Sequence, residues 1–288
     1  MTGERSFEFK ATDGTRVAAY HWPAIGATRA VLQVSHGMGE HALRYKAPLQ
    51  RLREAGIAIY ADDHRGHGRT APDAAAFGDF GTGGFAGIID DMAVLSRLAR
   101  QENPGRKLFL LGHSLGSFAL QIYLLSHSML IDGAILSGSA AMDMLPPPSP
   151  EGLEAFNAPF EPARTKFDWL SRDNAQVDAY VADPLCGFSA VPQSMMSIFG
   201  AAAGLFEPGA LERIRKDLPV YLFAGDRDPL NGWLAFLTPL VDRYRAAGIS
   251  DVSTDFYAGG RHEMLNETNR DEVVARLLSW IERRVQAS

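Results

Sequence analysis

Lys107-Leu108-Phe109-Leu110-Leu111-Gly112-His113-Ser114-Leu115-Gly116-Ser117-Phe118-Ala119-Leu120 is the stretch on which the reading of this chain turns. Lys107 to Leu111 is an apolar run of strand length, and Leu115 to Leu125 continues with helical spacing. Between them lies a serine with a glycine two residues to either side. A turn that sharp strains the serine backbone, and the flanking glycines let strand and helix approach closely. The hydroxyl is thereby lifted to the end of a sheet, where the helix beginning at Leu115 aims its first N–H groups. A serine hydroxyl is a poor nucleophile at neutral pH, so the reading requires a base and a group to orient it. His113 is the nearest imidazole in sequence. A neighbour in so tight a turn points away from the serine, and His113 is read as structural.

Outward from this stretch, apolar runs alternate with helical patterns. Ser6 to Lys10 and Arg16 to His21 flank Asp13-Gly14, a hairpin signal. Strands are read at Ala30–Ser35, Ile57–Ala61, Leu108–Leu111 and Ile131–Leu136, with helices at Arg44–Ala55, from Phe85 to Leu98, and at Leu115–Leu125. From about Ala141 to Lys216 the alternation stops. That segment opens on Pro146-Pro147-Pro148 and carries Met142, Met144, Phe156, Phe160, Phe167, Trp169, Tyr180, Phe199 and Phe206. It is too long for a structureless loop and is read as an inserted helical cap. The alternation resumes with a strand at Val220–Ala224, a helix at about Trp233–Ala247, a strand at Val252–Tyr257 and a last helix at Asp271–Val285. The expected architecture is α/β, a mostly parallel eight-stranded sheet with helices on both faces. Residues 1–140 and 217–288 form its core and 141–216 its cap.

Where a serine sits on such a turn, acid and base follow it in the order Asp or Glu, then His. Two of the eight histidines, His127 and His262, come after Ser114. His127 falls at the far end of the following helix, about 20 Å along its axis at 1.5 Å per residue. His262 lies in Ala258-Gly259-Gly260-Arg261-His262-Glu263, a loop after the last strand, and is read as the base. The loop after Val220–Ala224, Gly225-Asp226-Arg227-Asp228-Pro229, offers two carboxylates. Asp228 is favoured as the orienting group, because it projects further and Pro229 stiffens the turn after it; Asp226 stands as the alternative. His36-Gly37-Met38-Gly39-Glu40-His41 follows the strand Ala30–Ser35. Its glycines let a backbone N–H face a substrate carbonyl, which makes the N–H groups of Met38 and Leu115 the expected oxyanion pair. A metal site built from His36, Glu40 and His41 is rejected, since these residues lie on a glycine loop rather than a helix face. Asp62-Asp63-His64-Arg65-Gly66-His67-Gly68-Arg69-Thr70 is read as a hydrogen-bonded brace around the site.

Composition narrows the classes. A net charge of −6 opposes binding to a phosphate backbone, whose affinity comes from Lys and Arg. One cysteine, Cys186, permits no intrachain disulfide and implies no oxidising compartment. Met1-Thr2-Gly3-Glu4-Arg5-Ser6-Phe7 has no apolar stretch of the kind a secretory leader needs, and no run reaches the roughly 18–20 apolar residues of a membrane span. A cytoplasmic protein without stable membrane insertion is expected.

With these motifs assembled, the chain resembles the monoacylglycerol lipase and lysophospholipase-like (serine aminopeptidase S33-type) branch of the α/β hydrolases. The resemblance rests on His36-Gly37-Met38-Gly39-Glu40-His41, Asp63-His64-Arg65-Gly66-His67-Gly68, Gly112-His113-Ser114-Leu115-Gly116, Gly225-Asp226-Arg227-Asp228 and Arg261-His262-Glu263. In the insertion, Ser171-Arg172-Asp173 and Tyr180-Val181-Ala182-Asp183-Pro184-Leu185 are similar to that branch's cap. Thr70 stands where many relatives have serine. The resemblance implies the α/β-hydrolase fold, a triad of Ser114, Asp228 and His262, and cleavage of a carboxylic ester through an acyl-enzyme, with no cofactor. Its implied partner is a small-molecule ester, with an apolar acyl group to match the cap. A thioester, lactone or amide would suit the same triad, and a non-catalytic binding module is the alternative outside enzymes.

Overall fold

A computed structural model describes residues 3–286; Met1 and Thr2, where the leader reading begins, and the last two residues assigned to the core lie outside them. Eight strands form one sheet in the order β1-β2-β4-β3-β5-β6-β7-β8. They are β1 (Arg5–Lys10), β2 (Arg16–Trp22), β3 (Ala30–Ser35), β4 (Ile57–Asp62), β5 (Lys107–His113), β6 (Gly133–Ser137), β7 (Val220–Gly225) and β8 (Val252–Tyr257). The pairings of β1 with β2 and of β2 with β4 are antiparallel; the other five are parallel.

Strands β3 to β7 are buried along nearly their whole length because both faces are covered. Their side chains alternate between two cores, as the pleat requires. From β5, Leu108 and Leu110 enter the core that α2 (Gly84–Glu102), α3 (Leu115–His127) and α6 (Thr238–Ala246) cover on one face of the sheet. Phe109 and Leu111 point the other way, to α1 (Gln50–Glu54) and α7 (Arg270–Gln286).

Two helices are shorter than their patterns predict. In place of Arg44–Ala55 there is a single 3₁₀ turn, Ala42–Tyr45, and then the five-residue α1. Pro48 lies between them and has no N–H to carry a helical ladder across. Of Trp233–Ala247, only Thr238–Ala246 is α-helical. Gly232, Trp233 and Leu234 all have positive φ (60°, 54° and 73°), which no right-handed helix accommodates.

Between β6 and β7 the chain leaves the sheet and returns only at Val220. It forms 3₁₀ segments, the longest Gly152–Phe160, and two α-helices, α4 (Asn174–Ala182) and α5 (Pro192–Ala202). Phe167, Trp169, Leu170, Val177 and Tyr180 make a small core of their own. Among the described residues, no helix is long and apolar enough to cross a membrane.

Candidate active site

The register aligns the carboxyl ends of the parallel strands, with Ser35 opposite Gly112 and His113 opposite Ser137. The loops after β3, β5, β6, β7 and β8 therefore open on one edge. Between β3 and β5 the connections diverge to opposite sides, the place where open α/β sheets form their crevice.

Ser114 is the first residue beyond β5, at φ 51° and ψ −117°. A side chain held in such a region costs about 1–3 kcal/mol, which the surroundings must offset. Its N–H donates to the Ser137 carbonyl at 2.9 Å, and its own carbonyl accepts from the N–H of Ser117 at 2.8 Å. Both motif glycines are required by contact. A Cβ on Gly112 would lie 2.4 Å from the Gly116 carbonyl oxygen, and one on Gly116 would lie 2.1 Å from that of Ser35.

His262, on the loop after β8, brings Nδ1 to 2.9 Å from Asp228 Oδ2. The second oxygen of Asp228 accepts the Leu230 N–H at 2.9 Å, so the carboxylate is fixed at both ends. The structure does not bring Asp226 to the imidazole: its Oδ1 accepts the N–H of Gly259 at 2.8 Å, which shapes the loop carrying His262. A neutral ring that donates from Nδ1 keeps its lone pair on Nε2, the form a general base needs. Burial alone lowers the pKa of His262. The charge and hydrogen bond of Asp228, with Glu263 and Glu40 nearby, outweigh it and hold the imidazole above its ordinary value.

Three contacts on His262 went unread in the sequence. His113 and Trp169 each place a ring centroid 4.7 Å from its own. His113 is kept neutral, its pKa pushed down to about 4 by burial and by the neighbouring imidazole. Gly138, at φ +54°, has no room for a Cβ, which would sit 2.7 Å from His262 Cε1. Nothing in the sequence near residue 138 or 169 marks either as a neighbour of residue 262.

The loop after β3 is held from below by imidazoles. His36 Nδ1 donates to the Gly37 carbonyl at 2.7 Å, and its Nε2 accepts the His64 N–H at 3.0 Å. His67 Nε2 lies 3.3 Å from the Gly39 nitrogen, and Glu40 Oε1 accepts the Gly37 N–H at 2.6 Å. The N–H groups of Met38 and Leu115 donate to no protein group among the described residues. Ser35, His64 and Asp62 repeat the Ser–His–carboxylate order at 3.0 and 3.1 Å. All three are sealed in the interior, so they can brace the loop but cannot meet a substrate. The brace continues through Asp63, which accepts from the Tyr20 hydroxyl and from the N–H groups of Ala42 and Arg69.

A buried ionic network joins the β3 loop to the His262 loop. Arg44 Nη1 reaches Glu40 Oε2 at 2.6 Å, and its fork meets both oxygens of Glu263 at 2.6 and 2.7 Å. Burial alone raises the pKa of Glu263, but Arg44 more than reverses this and holds it down at about 2. Tyr180, from α4, lays its ring under the Arg44 guanidinium (4.8 Å) and donates its hydroxyl to the Gly39 carbonyl at 2.8 Å.

The inserted segment closes over this assembly. Glu263 N–H donates to the Leu170 carbonyl at 2.8 Å, and the buried Glu267 carboxylate accepts from Arg172 N–H and Nε, each at 3.0 Å. Leu153, Trp169, Leu170 and Tyr180 share one cavity wall with Gly37, Met38, Ser114 and His262. That cavity measures about 10 Å³, barely the space for one water.

Residues 26–269 match the model of the serine aminopeptidase S33 family. The chain is 30% identical to a monoacylglycerol lipase from Mycolicibacterium smegmatis, over 95% of each chain. It is 25% identical to the rat monoglyceride lipase, over 95% of this chain and 89% of the relative. A thermostable carboxyl esterase from Bacillus coagulans, solved in complex with glycerol, superposes with a TM-score of 0.89 at 28% identity, covering 99% of this chain and 100% of the esterase.

Proposed function

Since the chain belongs to the serine aminopeptidase S33 family of α/β hydrolases and is a carboxylic ester hydrolase, we propose that Ser114 is its nucleophile, with His262 as base, Asp228 as orienting acid and a monoacylglycerol-type ester as substrate. The observation that carries the assignment is the 2.9 Å bond between His262 Nδ1 and the sealed carboxylate of Asp228, on a residue that shares one cavity with Ser114. In this mechanism His262 Nε2 takes the hydroxyl proton as Ser114 Oγ attacks the ester carbonyl. The oxyanion settles between the free N–H groups of Met38 and Leu115, each such donor being worth about 3 kcal/mol to the transition state. The C–O bond to the alcohol breaks, and the alcohol leaves with the proton from His262. Water, deprotonated by the same imidazole, then attacks the acyl-enzyme and releases the acid with Ser114 restored.

Residues 141–216 act as the cap in this reading. On this reading they draw back to admit an ester, since the cavity beside Ser114 measures only about 10 Å³. The apolar cap side chains, Leu153 and Trp169 among them, favour an acyl chain over a polar acid. A cytoplasmic location and the absence of stable membrane insertion belong to the same proposal.

A fluorophosphonate followed by mass analysis tests the nucleophile: one adduct on Ser114 is expected, and folded protein without one refutes the mechanism. Hydrolysis of p-nitrophenyl esters of two to sixteen carbons, beside monoacylglycerols and lysophospholipids, tests the substrate. Turnover confined to the shortest esters would reject the glyceride reading and leave the triad standing.

A further inference from the structure

The inserted segment meets the β3 loop at a second place, away from the triad. His41 lies three residues beyond Met38, and Asp183 and Cys186 lie in the connection from α4 to α5. The imidazole, the carboxylate and the thiol each offer a ligand atom, and these atoms all lie within 4.8 Å of one another. His41 Nε2 is 2.9 Å from Asp183 Oδ2, while His41 Nδ1 is buried with no hydrogen-bond partner among the described residues. The frame around them is fixed. Asp183 Oδ1 accepts the Leu185 N–H at 2.9 Å, and the Gly187 N–H donates to the Gly39 carbonyl at 2.9 Å.

One nitrogen, one oxygen and one sulfur donor make a set that suits a zinc-like ion and not a hard one such as calcium or magnesium. Metal–ligand bonds of about 2.0–2.3 Å place ligand atoms roughly 3.3–3.8 Å apart around a tetrahedral ion, so the observed cluster needs only small side-chain adjustments. The local charge also favours a cation. Cys186 is under the field of Asp183, Glu40 and Glu263, with Arg44 as the opposing positive group. Burial resists a bare thiolate at Cys186, and three carboxylates face one guanidinium there, so a cation that neutralises the thiolate relieves both.

We propose that His41, Asp183 and Cys186 form a binding site for a thiophilic divalent cation of the zinc class, and that the bound ion staples the cap shut over Ser114. Binding breaks the S–H bond of Cys186 and the Nε2–H bond that His41 donates to Asp183, the imidazole proton passing to the unpartnered Nδ1; three metal–ligand bonds form and the thiol proton is released to solvent. A fourth position is left for water. Two of the ligands come from the cap and one from the β3 loop, so the ion resists the opening that an ester requires. The site itself stands without the catalytic assignment; the inhibition rests on the serine-hydrolase reading.

Cadmium(II) titrated into metal-free protein reports the site directly, through the ultraviolet charge-transfer band of a cadmium–thiolate bond, and zinc(II) then competes the band away. The wild-type chain is expected to develop the band and Cys186→Ser to lack it. Asp183→Asn, which keeps the thiol, is expected to bind either ion at least tenfold more weakly, since even outer-shell changes cost about 10–100-fold. Absence of the band in the wild-type protein, or unchanged affinity in Asp183→Asn, overturns the site. For the staple, zinc(II) is expected to suppress p-nitrophenyl butyrate hydrolysis by the wild-type enzyme, with recovery on chelation, and to leave Cys186→Ser active. Equal inhibition of Cys186→Ser overturns the staple. Failure of the hydrolase reading would show separately, as a metal-free protein that binds cadmium(II) but cleaves no ester.

Discussion

Asp226 and Asp228 stand two residues apart on one loop, and their surroundings divide the work between them. Asp228 is sealed and bonded to His262 Nδ1, whereas Asp226 is partly exposed and accepts from the Gly259 backbone. Asp228→Asn should therefore lower kcat about 10⁴-fold, the scale seen when the orienting carboxylate of a triad is neutralised. Asp226→Asn loosens a turn and should keep activity within about tenfold. Steady-state kinetics on one soluble ester decide the matter, and a larger loss at Asp226 reverses the assignment. In the proposed mechanism the same carboxylate sets the pH profile. A base works only when neutral, and His262 holds its proton above the ordinary imidazole value of about 6.5. The rate should thus rise with pH through a midpoint above 6.5, read from log kcat/KM between pH 5 and 9. A midpoint below 6.5 would mean that burial outweighs Asp228.

At the scale of elements, much of the chain could be read from periodicity. The strands flanking Ser114 and the helix after it fall where the apolar runs end, because strands covered on both faces are continuous apolar runs with little ambiguity. Helix ends were less legible: Pro48 and the positive-φ run at 232–234 overrode patterns that periodicity alone extends. Contacts between distant loops left no local signal at all. Arg44 joins Glu40 to Glu263 across 219 residues of sequence, and only the closing of the sheet brings them together. This bridge yields a prediction for the two loops as a unit. Arg44→Met leaves two buried carboxylates without their counter-ion, which costs about 3–5 kcal/mol. The expected result is a lower Tm with a fall in kcat, since the β3 loop and the His262 loop lose their common tie. Arg44→Lys should recover only part of the stability, because one ammonium cannot reproduce the fork to both oxygens of Glu263. Full recovery by lysine would reduce the network to simple charge neutralisation.

The molecule as a whole gathers five of its buried histidines at one sheet edge, and this concentration should govern its stability in acid. His36 is pushed well below its ordinary value, His67 down to about 3 and His113 to about 4, in each case by burial first and by neighbouring imidazoles second. Glu263 is held at about 2, where Arg44 overcomes the effect of burial. A depressed folded-state pKa contributes stability that is complete above the unfolded value and is lost as pH falls toward the folded one. The three histidines therefore begin to favour the unfolded chain below about pH 6.5, and Glu263 adds to the same trend below about 4.5. His64 and His262 are shifted upward. Their contribution is fully present below pH 6.5 and is lost as pH rises through their folded values, so it gives no relief on the acid side. Asp91, raised to about 6 by burial, opposes the trend between roughly pH 6 and 4, but as one group against three. Stability should accordingly fall by roughly 1–3 kcal/mol per pH unit from pH 6.5 to 4.5, with protons taken up on unfolding. Urea midpoints measured across that interval, with calorimetry in buffers of different ionisation enthalpy, read both quantities. A flat profile would mean that these imidazoles already carry protons in the folded chain. It would also put a charged His113 against His262, the proposed base, in place of the neutral ring on which it packs.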